Sequence, residues 1–473
     1  MHLRMYAPSC IRCLYPVWIM LAVKLTPADN LARFGSIVSL RCHTDAMCRA
    51  CSGQAGQLSG KGHAMSVTTQ DISEIIDWLA QYGYQGEGEG MIRLLYTPEW
   101  LQAQNALKER FEQAGMTAEF DAVGNLKGTF AGSDPAAGTV ASGSHIDTVV
   151  NGGKLDGALG IEAAFLAMKD LVETYGQPKK SLSVVSMAEE EGSRFPYVFW
   201  GSKNLFDLED NAQMANVQDK DGVKFADAMH SCGFDFNEGH DALMDGVTNW
   251  LEFHIEQGNT LEMEKKQVGI VHGIVGQRRY DIHLVGEANH AGTTMMRYRH
   301  DVVEAYARIV SQSIAKAKAE GDPLVLTFGK VEVKPNVVNV VPGEMTFTMD
   351  CRHTDKEFLV KFSDGIVSDM RAICKEMGIE IEVDNWMDED PVPMDDAMTA
   401  VIQKACHDRG LNALDMHSGA GHDSQIIAKH IPSGMIFVPS IKGISHNPAE
   451  ATKVEDIKEG IDALEAALYA LAY

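Results

Sequence analysis

The segment Gly143-Ser144-His145-Ile146-Asp147-Thr148 is followed by Leu155-Asp156-Gly157 and then by Ala188-Glu189-Glu190-Glu191-Gly192. These stretches put a histidine, a lone aspartate and a carboxylate cluster at the ends of strand-like runs. Imidazole and carboxylate suit zinc or manganese, and a carboxylate has two oxygens with which to bridge two ions. A pair of divalent ions can share a water, lower its pKa and deliver hydroxide to a carbonyl at neutral pH. Positions two apart on an extended segment face the same way, so Asp147 can lie beside His145 and fix its tautomer. Alone, a His-x-Asp is equally a hydrogen bond at a strand end. Asp156 is a candidate bridge between two metals, or an N-cap for the helix that follows. Three adjacent carboxylates repel one another, and protons or a cation must relieve the repulsion. If Glu189–Glu191 belongs to a site, one glutamate binds metal and a neighbour serves as general base.

Two distant histidines extend the set. His254 ends the run Leu251–Ile255, and His446 lies in the polar stretch Gly443-Ile-Ser-His-Asn-Pro448. Singly, each is an ordinary surface or capping histidine. Together with the first set they give two His or carboxylate ligands per metal plus a bridge. Further on, Asn289-His290-Ala291-Gly292 and Arg352-His353 follow strand patterns, and Asn339 lies between two of them. A histidine there can polarise a carbonyl, and an arginine can clamp a carboxylate bidentately. There is no G-x-S-x-G elbow, H-E-x-x-H, P-loop or dinucleotide fingerprint.

The elements that must hold these residues follow from the pattern. Asp71 opens an amphipathic helix with Ile72, Ile75, Ile76 and Leu79 on one face. Thr97-Pro98 is an N-cap and N1 pair, and Gly115 is the stop of that helix. Thr117–Phe130 reads as a hairpin around Val123-Gly124-Asn125. Thr139–Ser144 and Leu182–Ala188 are apolar strands, separated by a helix that begins at Gly157 and ends at Gly176. This order implies a parallel sheet covered by helices, with ligands beyond the carboxyl ends of its strands. Residues 271–388 differ: strand (Ile274–Val285), helix (His300–Lys318), two strands (Leu324–Val333, Met345–Arg352), a helix capped by Thr354-x-x-Glu357, and a strand (Ile379–Met387). That βαββαβ order is the ferredoxin-like arrangement. The first pattern resumes after Asp390 and ends in a helix over Val454–Leu471. The expected fold is an α/β catalytic domain with a mixed sheet covered by helices, over 65–270 and 389–473, split by an inserted α+β domain over 271–388.

Bulk properties narrow the partners. The formal charge of −25 over 473 residues opposes binding to nucleic acid and to anionic membranes. A small anionic substrate needs only one or two local cations. Residues 1–64 stand apart, with seven Lys or Arg against two acids and five of the nine cysteines. Cys10-x-x-Cys13 and Cys48-x-x-Cys51 are spaced too far apart for a usual zinc ribbon. Residues 1–64 are better taken as an atypical extension outside the fold, with Met65 as the natural first residue. The other four cysteines form no motif, which fits a reducing, cytoplasmic setting.

The chain resembles the dinuclear-metal amidohydrolases of the M20 peptidase group. Within that group it is similar to the branch holding N-carbamoyl-amino-acid hydrolases, β-ureidopropionases and allantoate amidohydrolases. The resemblance runs from about Met65 to the C-terminus. It is carried by Arg93-Leu-Leu-Tyr-Thr-Pro-Glu-Trp100, Gly143–Gly153, Glu189–Lys203, Gly276-Gln-Arg-Arg-Tyr280, His417-Ser-Gly-Ala-Gly-His-Asp423 and Gly443–Pro448. It implies two divalent ions per subunit, zinc or manganese. His145, Asp156 and His254 would hold one, and Asp156, Glu191 and His446 the other. It further implies Glu190 as the base, Asp147 as the residue that orients His145, and His290, Gln257, Arg278, Asn339 and Arg352 around the substrate. Arg352 is the best match for a carboxylate. The inserted domain would act as a lid and dimerise, with His290 contributed to the partner's site. The expected reaction is hydrolysis of a ureido C–N bond in a small carboxylate. The wording of Phe195–Trp200 tilts the expectation toward allantoate and away from N-carbamoyl-L-amino acids. A non-catalytic binding homologue is the rival of a different class. One departure is Met295, where the family pattern has proline; losing the fixed φ would loosen the loop that holds His290.

Overall fold

The computed structural model describes residues 67–209 and 211–473. The expectations for residues 1–64 lie outside the described residues. The chain begins with the helix Thr69–Ala80, capped by Thr68, and the helix Pro98–Gln113, capped by Thr97 with proline in the first turn. Strands β1 (Thr117–Phe120) and β2 (Leu126–Phe130) form the expected hairpin. Then come β3 (Thr139–His145), the helix Ala158–Tyr175, β4 (Ser181–Met187), β5 (Val247–Ile255) and β6 (Val268–Ile274).

The next segment holds β7 (Gly276–Val285), β8 (Asn289–His290), the helix Val302–Glu320, β9 (Val325–Thr327), β10 (Val331–Lys334), β11 (Val340–Val341), β12 (Glu344–His353), the helix Lys356–Met377 and β13 (Glu380–Glu389). The chain ends with β14 (Val392–Pro393), the helix Asp396–Arg409, β15 (Ala413–Ser418), β16 (Ser433–Val438) and the helix Val454–Ala472.

Two main sheets result. The larger has the order β1-β2-β4-β3-β5-β16-β6-β14, with β15 also on β6. Its centre is parallel: β3 pairs in parallel with β4 and β5, and β16 with β5. The hairpin at one edge and β6 toward the other pair antiparallel. The sheet is therefore mixed, not purely parallel, because the hairpin and the return strand β6 need no helical crossover. The central strands read as continuous apolar runs because both faces are covered. Val140, Val184 and Leu251 join one core with the helices 69–80, 158–175 and 454–472. Their neighbours Ala141, Val185 and Trp250 join a second core with Leu243 and Ile427 on the opposite face.

The smaller sheet has the order β10-β12-β7-β13 with β9 on β12, all pairs antiparallel. Its buried face packs Tyr280, Ile282, Phe347 and Met349 against Ile309 and Met370 of two helices. The expected boundary at residue 271 falls inside β6, which belongs to the larger sheet. The chain changes sheets at Val275, and β6 and β7 read as one β run because a single residue separates them. The helix after β12 is capped by Asp355, whose side chain accepts from the Phe358 amide, and not by Thr354. Among the described residues, no helix is long and apolar enough to cross a membrane.

Candidate metal centre

Four adjacent parallel strands, β4-β3-β5-β16, deliver their carboxyl ends to one place. His145 is the last residue of β3, and Glu189–Glu191 begin two residues after β4. His254 is next to last in β5, and His446 sits on the loop after β16. Asp156 comes from the turn before the helix Ala158–Tyr175. The helix N-cap is Gly157, so the Asp156 side chain caps nothing and is free for the cluster.

The geometry around Asp156 is two-sided. Its Oδ1 lies 3.2 Å from His254 Nε2 and 3.7 Å from His145 Nε2. Its Oδ2 lies 3.1 Å from His446 Nε2, which is also 3.2 Å from Glu191 Oε1. One ligand atom each from His145, Asp156 and His254 lie within 4.8 Å of one another, as do one each from Asp156, Glu191 and His446. A tetrahedral ion with bonds of 2.0–2.1 Å sets its ligand atoms about 3.3 Å apart. The donor set fits divalent cations on this spacing. Asp156 Oδ1 adds to the fit, since it is buried and, among the described residues, accepts no hydrogen bond. A third group joins His145, Glu190 and Glu191, so Glu190 reaches both sides of the cluster.

The histidine tautomers are set by their outer nitrogens. His145 Nδ1 lies 3.1 Å from Asp147 Oδ1, and His254 Nδ1 lies 2.9 Å from the Ile255 carbonyl, leaving each Nε2 toward Asp156. Asp147 also accepts from the amides of Glu190 (2.9 Å) and Glu191 (3.2 Å), so one carboxylate aligns β3 with the glutamate turn. Glu189, for which the sequence suggested no task, accepts from the Gly192 and Trp200 amides and holds that turn. Arg93, 1 % exposed, donates to the Ile146, Leu79 and Tyr82 carbonyls and anchors the β3 end to the first helix. Gln257 and His446 both adopt the left-handed region, with φ of 57° and 54°. Such strain in non-glycine residues collects at functional sites.

Charges here are strongly coupled. Burial acts to raise the Asp156 carboxyl, but His145, His254 and His446 outweigh it and hold it well below the usual range. Contacts with Asp156 and Glu191 push His446 up to about 10. Burial, then the neighbouring Glu191, push Glu190 well above an ordinary carboxyl.

The other expected residues divide. Gln257 joins the cluster, its Nε2 2.9 Å from Asp156 Oδ2 and 3.3 Å from His446 Nε2. Arg352 donates through Nε and Nη2 to Asp350, and through Nη1 to the Gly419 carbonyl. It lines a cavity of about 480 Å³ with Arg279, Asp350, Val325, Thr327 and Trp386. Arg278 is not on that face. Alternation along β7 turns it inward, where it is engaged by Ser363, Asp364 and Asp388, while Arg279 shares Asp350 with Arg352. His290 and Asn339 are exposed on the β8–β11 ribbon, and among the described residues no hydrogen bond or ion pair joins either to the cluster. Two further residues support the cluster without having stood out in the sequence: His422, buried edge-on to His254 at 4.6 Å between ring centroids, and Glu450, whose carboxylate holds the Leu155 and Asp156 amides. The signal for His422 was the Gly-His-Asp wording of 421–423; Glu450 left none.

Comparison with known proteins identifies the family and its relatives. The family described as "Peptidase family M20/M25/M40" matches residues 141–470. An allantoate amidohydrolase from Escherichia coli is 53% identical, over 85% of this chain and 98% of that protein. An allantoate amidohydrolase from Bacillus subtilis is 44% identical over 85% of this chain and 97% of its own length. Among solved structures, an amidase of the hydantoinase/carbamoylase family from Burkholderia multivorans superposes with a TM-score of 0.82 at 29% identity, covering 86% of this chain and 98% of that one.

Proposed function

Since the chain belongs to peptidase family M20/M25/M40, we propose that it is an amidohydrolase. It cleaves a ureido C–N bond of allantoate, giving ureidoglycine, carbon dioxide and ammonia in purine breakdown. The observation that carries the metal chemistry is the division of labour at Asp156, one oxygen toward His145 and His254, the other toward His446 beside Glu191. The substrate follows from the 53% identity to an allantoate amidohydrolase, well above the 29% to the hydantoinase/carbamoylase-type amidase.

His145, Asp156 and His254 are assigned to one divalent ion, and Asp156, Glu191 and His446 to a second, zinc or manganese. When bound, such ions would lower the pKa of water and act as Lewis acids toward a carbonyl. Glu190 takes a proton from the attacking water and carries it to the leaving nitrogen. Its place beside Glu191 and His145 suits that task, because a carboxylate within reach of both ligand sets can accept a proton from the attacking water and return it to the leaving nitrogen. Asp147 keeps the His145 ring in one tautomer, and Gln257 orients polar atoms beside Asp156. Arg352, with Arg279 of the neighbouring strand on the same sheet face, clamps the substrate carboxylate, exchanging Asp350 for it.

The larger sheet with its helices, through Ile274 and again from Val392, is assigned to the catalytic domain, and the smaller sheet with its helices between them to a ferredoxin-like lid and dimerisation module. Exposed Val325, Val331, Val338, Met296 and Tyr298 support a homodimer through that module, with His290 and Asn339 serving the partner's site. A cytoplasmic setting suits the unpaired cysteines 232, 351, 374 and 406.

The test is ammonia release from allantoate against N-carbamoyl amino acids, with manganese or zinc supplied to metal-depleted protein. Allantoate should be the preferred substrate, and Glu190→Gln should bind metal yet lose nearly all turnover. Equal or better turnover of N-carbamoyl amino acids would transfer the assignment to that activity. Substantial turnover by Glu190→Gln would remove Glu190 as the base.

A further inference from the structure

We propose that Glu450 is a positioning residue of the metal centre, which fixes Asp156 and ties the two ligand-bearing loops into one unit. The inference rests on the two-ion reading above. Glu450 is 7 % exposed, and both of its oxygens are engaged. Oε1 accepts from the amides of Leu155 (3.0 Å) and Asp156 (3.1 Å). Oε2 accepts from Ser445 Oγ at 2.9 Å, and the same hydroxyl lies 2.9 Å from Asp156 Oδ2. Glu450 thus holds the main chain of the shared ligand and the side chain next to His446.

The local fold is built for this reach. The Glu450 amide donates to the Asn447 carbonyl at 3.0 Å, folding 445–450 back so that the carboxylate meets 155–156. The chain before Asp156 wraps closely round it: a Cβ on Gly153 would stand 2.0 Å from Glu450 Oε1. Buried amides need acceptors, and here one carboxylate supplies both. The Ser445 hydroxyl has one proton and two carboxylates within reach, so it can turn to Glu450 when Asp156 Oδ2 is occupied by a cation. Because Asp156 faces both metal positions, its placement sets both. Loss of Glu450 should therefore weaken both ions together, whereas loss of a histidine on one side acts on one.

The experiment titrates metal-depleted full-length protein with manganese(II) by calorimetry, and melts each form with and without the ion. The parent should take up two ions. Glu450→Ala should bind both about 10–100-fold more weakly, the usual cost of removing a group that orients metal ligands. Glu450→Asp keeps the charge but is one methylene too short, and should show a loss of the same size; it serves if the alanine form fails to fold. Glu450→Gln keeps a carbonyl acceptor for the two amides and should lose less than the alanine form. Parent-like affinity in Glu450→Asp, loss confined to one ion, or a glutamine form as weak as the alanine form would each overturn the proposal. A parent that takes up fewer than two ions overturns the two-ion reading and this proposal with it. A parent that takes two, beside unaffected variants, overturns this proposal alone.

Discussion

Gly157→Ala offers a severe test of how the site is built. Gly157 has φ 65° and ψ −57°, and the Ala158 amide donates to the Asp156 carbonyl across it at 2.7 Å. That is a tight γ-type turn, which L-residues adopt only under strain of about 1–3 kcal/mol. Space is the second constraint. A Cβ would stand 2.4 Å from His145 Cε1 and 2.5 Å from both ring nitrogens, where ordinary contact begins at 3.4 Å. The ring or the turn must therefore move by about 1 Å, several times the ~0.2 Å tolerance of a metal–ligand bond. A displacement of that size costs about 100-fold in catalytic efficiency. Metal affinity should fall with it, because the turn carries Asp156 and the ring is assigned to the same ion.

Gly176→Ala is the control, at the other end of the same helix. Gly176 has φ 80° and ψ −157°, with nothing within 4 Å of its Cβ position. It should cost stability through the backbone and leave metal binding untouched. The assay is a manganese titration with thermal melts of metal-free and loaded protein. Parent-like metal affinity in Gly157→Ala, or equal loss in both variants, would refute the link between this turn and the His145 ring.

Further outcomes follow from other parts of the site. Arg352→Ala should raise KM about 10–100-fold for carboxylate substrates, from loss of charge-assisted hydrogen bonds, with a smaller change in kcat; an unchanged KM would refute the clamp. His254→Ala and His446→Ala should each leave one tightly bound ion, measured by elemental analysis after dialysis, and retention of two by either would redraw its ligand set. Glu162 is buried without a hydrogen-bond partner among the described residues, and burial pushes its carboxyl up to about 8. The folded form then holds a proton that the unfolded form releases near pH 4.5, so stability declines as pH rises from there to about 8. Glu162→Gln should remove that slope and gain on the parent by on the order of a few kcal/mol at pH 8.5. Urea unfolding at pH 5 and 8.5 measures it, and a difference that does not grow with pH would contradict the sign.

Much of this was legible in the sequence because the relevant forces are local. The first helix follows from Ile72, Ile75, Ile76 and Leu79 at helical spacing, and Thr97-Pro98 and Gly176 mark ends that any chain with those residues would form. The central strands stood out because burial on both faces makes them uniformly apolar. Resemblance supplied the pairing of His145, His254 and His446, which no spacing encodes. What escaped depends on three-dimensional packing. The break between β6 and β7 is one residue long and leaves no gap in periodicity. The side of β7 that faces the cavity is set by pairing with β12, so Arg278 and Arg279 could not be separated in advance. Glu450 reads as a surface acid because its partners are amides nearly 300 residues away.

The place of β16 carries a consequence for biosynthesis. That strand lies between β5 and β6, yet it is made after every other strand of its sheet. A nascent chain emerging from the ribosome holds His145, Asp156, Glu191 and His254 long before His446 exists. Its sheet meanwhile has an unfilled slot at the centre. Domains tend to fold as units during synthesis, but this one closes only with its last strand. The inserted module, complete by Glu389, is free to fold first. In the proposed two-ion centre, Asp156 would meet His446 only after β16 has been made, so the ion assigned to Glu191 and His446 would load after the ion assigned to His145 and His254.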